Sequence, residues 1–148
     1  MKTPLGDRLR DTIERAEREY NNFDENEVSA ATKADGWSRK QLLGHLIDSA
    51  SNNHQRFVRA LLQDEYRGPT YDQEGLVRVE RFQEMPWTDL VGLWAGYNRF
   101  LAHILDGVPE QKKNTPCYVG ENPVMTLDEL AEDYLRHMNH HLDQIGRK

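Results

Sequence analysis

The chain has 148 residues, the size of one ordinary domain, and pairs a lean 37% apolar content with 30% charged residues, a balance that suits a compact helical protein and is too apolar for disorder. No apolar run approaches the roughly 20 residues that cross a bilayer and no short apolar segment follows Met1, so the expectation is a cytoplasmic protein with no membrane span. A formal charge of −6 argues against nucleic-acid binding, which needs a basic face, and the single cysteine, Cys117, can form neither an internal disulfide nor a Cys-based zinc site.

Leu5, Leu9, Ile13, Ala16, Tyr20 and Phe23 recur at three- and four-residue steps and predict a first helix over 4–23. Residues 24–35 are polar, and Gly36 closes them. A second helix is expected over 38–63, opened by the capping box Ser38-x-x-Gln41, in which each side chain satisfies the other residue's backbone N–H. Gly68-Pro69 then breaks the pattern. The third helix starts at Thr88 or Asp89, carries Leu90, Trp94, Tyr97 and Leu101 on one face, and is ended by Gly107 and Pro109. The fourth, over 126–145, opens on a second capping box, Thr126-x-x-Glu129, and stops at Gly146. Two long connections, 65–87 and 110–125, show no strand alternation beyond a brief extended stretch at Cys117-Tyr118-Val119. Loops of that length in a compact domain are usually functional or ordered by packing. The reading is a single all-α domain over 1–148, a bundle of four antiparallel helices with two long connections.

Six histidines remain to be explained, three of them within 137–141. On the fourth helix His137 and His141 lie one turn apart and share the edge of the apolar stripe of Leu130, Tyr134 and Met138, whereas His140 projects to the exposed side with Asp133 and Arg136. Imidazoles at i and i+4 on an inward stripe can converge on one metal ion, and they can equally be core-edge groups satisfied by hydrogen bonds. A third ligand must come from another helix. His45 leads, with Asp48, Ser49, Asn52 and Arg56 in a polar stripe beside it, yet periodicity reads that stripe more readily as a solvated face. His54, within the apolar arc, competes, and His103 projects to the surface. Neither H-E-x-x-H nor Glu-x-x-His occurs, which removes the zinc-protease and di-iron carboxylate patterns.

The segment Gly36-Trp37-Ser38-Arg39-Lys40-Gln41-Leu42-Leu43-Gly44-His45-Leu46-Ile47-Asp48-Ser49 closely resembles the opening of the second helix in the DinB-like (YfiT-type) helical-bundle superfamily. His137-x-x-His140-His141-x-x-Gln144-Ile145 resembles that superfamily's C-terminal helix, and the likeness extends over nearly the whole chain in helix order. The resemblance implies a four-helix bundle holding a divalent metal, usually zinc or nickel, by one histidine of the second helix and two of the fourth: His45, His137 and His141. It also implies a homodimer, and activities that range over thiol-dependent S-transferases using low-molecular-weight thiols, a thiol-dependent isomerase and metal-dependent hydrolases.

Three neutral ligands would leave a coordination position open, so activation of a thiol or of water is the expected chemistry on a small-molecule substrate. Asp48, Asn52, Asn53 and Arg56 are expected to orient ligands or substrate, with Asp48 able to accept the second N–H of a histidine. Tyr71, Asp72 and Gln73 are expected to wall the pocket. The rival expectation is a non-catalytic, metal-stabilised or ligand-binding dimer in which a fourth ligand such as His54 fills the shell.

Overall fold

The computed structural model describes residues 3–31 and 36–146. In chain order the helices are α1 (Leu5–Tyr20), α2 (Glu25–Ser29), α3 (Arg39–Leu62), α4 (Gln73–Glu80), α5 (Trp87–Asp106) and α6 (Leu127–Gly146), with three short strands, β1 (Tyr66–Gly68), β2 (Pro116–Val119) and β3 (Met125–Thr126). The four long helices are those expected from periodicity. Both capping boxes form: Ser38 Oγ accepts from the Gln41 amide while Gln41 Oε1 accepts from Ser38 N–H, and Thr126 and Glu129 do the same. Among the described residues no helix is long and apolar enough to cross a membrane.

The helix directions correct one expectation. Going round the bundle, α1 packs on α5, α5 on α3, α3 on α6 and α6 on α1. Tyr20 meets Trp87 while Gly6 lies against Ala102 and Asp106, so α1 and α5 are antiparallel. Arg39 Nε donates to the Ile145 carbonyl and Phe57 meets Tyr134, so α3 and α6 are antiparallel too. The other two pairs are parallel. Arg8 binds Glu132 and the Tyr20 hydroxyl donates to the Leu142 carbonyl, aligning α1 with α6. Phe82, just before α5, packs on Gly44, and Tyr97 reaches His54, aligning α3 with α5. A parallel neighbour requires the chain to travel back along the bundle, which is what the connection from residue 63 to 86 does.

The long connections are more ordered than the sequence suggests. β1 pairs parallel with β2 and β2 antiparallel with β3, so a three-stranded sheet ties the two connections together. Gly120 ends β2 with a φ of 57°, a left-handed turn that suits glycine, and its N–H donates to the Gly68 carbonyl at 2.8 Å. Cys117, in β2, is buried. The core is continuous through the bundle, with Trp94, Phe57, Leu42, Leu90, Leu127 and Met138 fully enclosed.

Candidate metal centre

Antiparallel packing of α3 on α6 brings three imidazoles together. The His45, His137 and His141 rings lie 5.4, 4.8 and 4.6 Å apart pairwise between centroids, and one nitrogen from each lies within 4.8 Å of the others. His137 Nε2 and His141 Nε2 are 3.2 Å apart. A tetrahedral zinc site with bonds of about 2.0–2.1 Å separates its ligand nitrogens by about 3.3–3.4 Å, so this pair already has the required spacing. His45 is 1% exposed, its Nδ1 has no hydrogen-bond partner, and the Trp37 ring lies tilted beside it, 5.4 Å away between centroids. A buried imidazole with an orphaned nitrogen is costly unless something else occupies its lone pair. The residues therefore fit a divalent cation.

Electrostatics agree. Burial, reinforced by His141 and His137, pushes the His45 pKa down to about 4, and burial with His141 lowers that of His137 against the opposing pull of Asp133. Both imidazoles are thus neutral near pH 7, the form a metal requires. His141 is oriented from outside: its Nδ1–H donates to Gln144 Oε1 at 2.7 Å, which leaves Nε2 as the lone-pair nitrogen facing His137. Sequence reasoning gave Gln144 no role, although its place three residues beyond His141 is the spacing that permits this bond.

The other expected residues divide into two groups. Asn53 and Arg56 are buried and line a cavity of about 180 Å³ that also reaches His137, Tyr71, Asn122 and Asp133. The polar stripe of α3 is therefore interior, contrary to the solvated reading of its periodicity. Tyr71 walls this cavity as expected, and its pKa is raised chiefly by burial. Gln73 also lines it, whereas Asp72 caps α4 by accepting from the Gly75 amide. Asp48 and Asn52 open instead on a separate depression beside Glu80. Asp48 Oδ2 and His45 Nδ1 are both without a partner, so Asp48 does not accept a histidine N–H as expected. Burial, and then the neighbouring Glu80, raise its pKa to about 8. His54 is not a ligand in this arrangement: its Nδ1 pairs with the Tyr97 hydroxyl at 2.8 Å, apart from the converging trio. His103 and His140 are exposed.

The sequence matches the DinB superfamily over residues 8–145. The chain belongs to the DinB superfamily. Its relatives include a protein of Halalkalibacterium halodurans named as a candidate metal-dependent hydrolase, 23% identical over 123 residues, covering 83% of this chain and 71% of that protein. A Bacillus pumilus protein of the same designation is 22% identical and covers 94% of this chain and 79% of its own length. Among solved structures, YfiT from Bacillus subtilis, described as a candidate metal-dependent hydrolase with an unusual four-helix bundle topology, superposes with a TM-score of 0.83 at 17% identity, covering 98% of this chain and 86% of YfiT. A mycothiol-dependent maleylpyruvate isomerase superposes at 0.78 and 16% identity, covering 97% of this chain but 61% of that one. The DinB bundle is thus shared with proteins named for different chemistries.

Proposed function

We propose that this DinB superfamily protein is a metalloenzyme that activates a thiol or a water molecule on a small substrate, at a divalent ion (zinc or nickel) held by His45, His137 and His141. The observation that carries the reading is a set of three converging imidazoles, two of them held neutral, beside a polar cavity. Among the described residues this group holds three protein donors and no fourth, the pattern of catalytic rather than closed structural sites. A cation bound there supplies Lewis acidity, enough to bring a coordinated water's pKa to about 7 or to keep a thiol ionised. The names of the relatives support metal dependence, and the isomerase of the same fold supports a thiol.

The protein's own side chains have defined tasks in this scheme. Gln144 fixes the His141 tautomer, and the buried His45 stays deprotonated with its ring held against Trp37. Ser49, Asn53, Arg56 and Tyr71 shape and polarise the cavity in which substrate lies beside His137. The thiol, where one is used, comes from outside: burial of Cys117 pushes its pKa up to about 11, which makes it inert as a nucleophile.

Elemental analysis of the untagged protein tests the site, with His45→Ala and His137→Ala alongside. Near-stoichiometric metal in the native protein and its loss in both variants is the expected result; metal content that survives either substitution overturns the assignment. Low-molecular-weight thiols offered with electrophilic acceptors, set against simple esters and amides, then separate transfer from hydrolysis.

A further inference from the structure

Arg56 is 8% exposed, and its guanidinium has weak, neutral company. Nη1 donates to Asn53 Oδ1 at 3.5 Å, Nη2 donates to the Pro69 carbonyl at 3.4 Å, and the group lies 5.7 Å from the centroid of the Tyr71 ring. Among the described residues no carboxylate stands within ion-pair distance of it. Lys40, buried to a similar degree, shows the usual remedy, with Glu25 2.8 Å from its Nζ. A buried cation without a counter-charge is unfavourable, and a guanidinium offers five N–H donors in a planar fork. Two of them are in use here, at long distances. The one carboxylate lining the same cavity, Asp133, is already paired with Arg136.

We infer that Arg56 is the recognition site for a carboxylate on the substrate, so that the proposed chemistry acts on a small carboxylic acid. The cavity holds about 180 Å³, about six water molecules' share of liquid volume and well below the 300–1,000 Å³ of sites for drug-sized ligands. It runs from Arg56 to His137, so an acid anchored at the guanidinium points the rest of its chain toward the imidazole cluster. A carboxylate matches the site better than a phosphate. A single guanidinium balances a single negative charge and its fork accepts two coplanar oxygens, whereas the added charge of a phosphate dianion would lie in a cavity that Asp133 also lines. The assignment of substrate class rests on the proposed reaction at the three histidines; the anion site itself does not.

The test is a titration of ¹⁵N-labelled, zinc-loaded protein with propionate, propionamide and inorganic phosphate, following the Arg56 Nε–H resonance. Propionate is expected to shift that resonance and to bind at least about tenfold more tightly than propionamide, as a charge-assisted pair allows. Arg56→Gln should reduce the preference to below about twofold, and Arg56→Lys should retain part of it. Arg56→Gln removes a buried charge and should melt no lower than the native protein; should it fail to fold, the native resonance and the lysine variant still decide. Equal binding of propionate and propionamide, or a preference that survives Arg56→Gln, overturns the inference, and tighter binding of phosphate overturns the choice of carboxylate. Repeating the titration after chelation separates the two readings. Arg56-dependent propionate binding in a protein that takes up no zinc sinks only the metal reading, and zinc uptake without such binding sinks only this one.

Discussion

Acidification from pH 6.5 to 5.5 should weaken zinc binding far less than three ordinary histidines would allow. Metal binding must displace any proton on the ligand nitrogens, so affinity falls with pH as those nitrogens protonate. For an imidazole with a pKa near 6.5 that one-unit drop costs about 5.5-fold, and three such ligands together lose about 170-fold. His45, buried with Trp37 against it and flanked by two further imidazoles, titrates at about 4 and is essentially unprotonated throughout this range. Its factor of about 5.5 disappears from the loss, and the lowered pKa of His137 reduces the loss further. Competition with a chromophoric chelator at the two pH values measures this directly. Calorimetry in buffers of different ionisation enthalpy should show His45 contributing almost none of the about 0.8 proton that an unperturbed imidazole releases on binding at pH 6. The same group shapes the stability of the metal-free protein. Its folded pKa lies below its unfolded value, so its contribution is present above about pH 6.5 and is lost as pH falls toward 4, by up to about 3 kcal/mol. A 170-fold loss of affinity, or a His45 ring resonance that titrates near 6.5, would refute the claim that burial holds His45 neutral.

Three further outcomes follow from neighbouring residues. Gln144→Leu should leave melting nearly unchanged but weaken metal binding by about 10- to 100-fold, because it frees the His141 tautomer; unchanged affinity would remove Gln144 from the site. Gly44→Ala places a Cβ 2.1 Å from the Phe82 ring, which is itself buried, so a loss of about 1–3 kcal/mol is expected in chemical denaturation where helix propensity alone predicts a small gain. Asp48, with its carboxyl raised to about 8, holds a proton that the unfolded chain releases near pH 4, so native stability falls as pH climbs through that interval. Asp48→Asn should flatten this slope and raise stability at pH 8 by on the order of 1 kcal/mol, read from denaturation midpoints at pH 5 and 8.

The four long helices were legible because each buries a stripe at helical period and two of them open on capping boxes that form as written. What escaped was short. α2 has 5 residues and α4 has 8, too few to establish a period, and strands of 2–4 residues leave no alternation to read. The direction of neighbouring helices escaped for another reason: a connection's length permits a return along the bundle without requiring it. His137 and His141 could be paired from their spacing alone. His45 could not, because hydropathy ranks a polar stripe as solvent-facing and has no means of recognising a polar interior. The sign available in the sequence was composition. Ser49, Ser51, Asn52 and Asn53 follow one another closely in the middle of a 24-residue helix, where residues that compete for backbone hydrogen bonds are unfavourable unless something else requires them.

That requirement connects the helix directions to the chemistry. With α3 antiparallel to α6, residues advancing along α3 meet residues receding along α6: His45 lies against His141 and Phe57 against Tyr134. His137 falls between these levels and so belongs both to the imidazole cluster and to the cavity wall. Arg56 lies 11 residues beyond His45, about 16 Å along the helix axis, and its side chain approaches Asn53, one turn back toward the histidines. An acid held by Arg56 therefore lies along the α3–α6 seam. Its charge is fixed at one end and its reacting group is directed at the other. Tyr71, from the first long connection, and Val119 and Asn122, from the second, close the seam from outside, and the three-stranded sheet fixes those connections to each other. The first connection, whose return along the bundle makes α3 and α5 parallel, thus joins the second in turning an open groove between two helices into a bounded site.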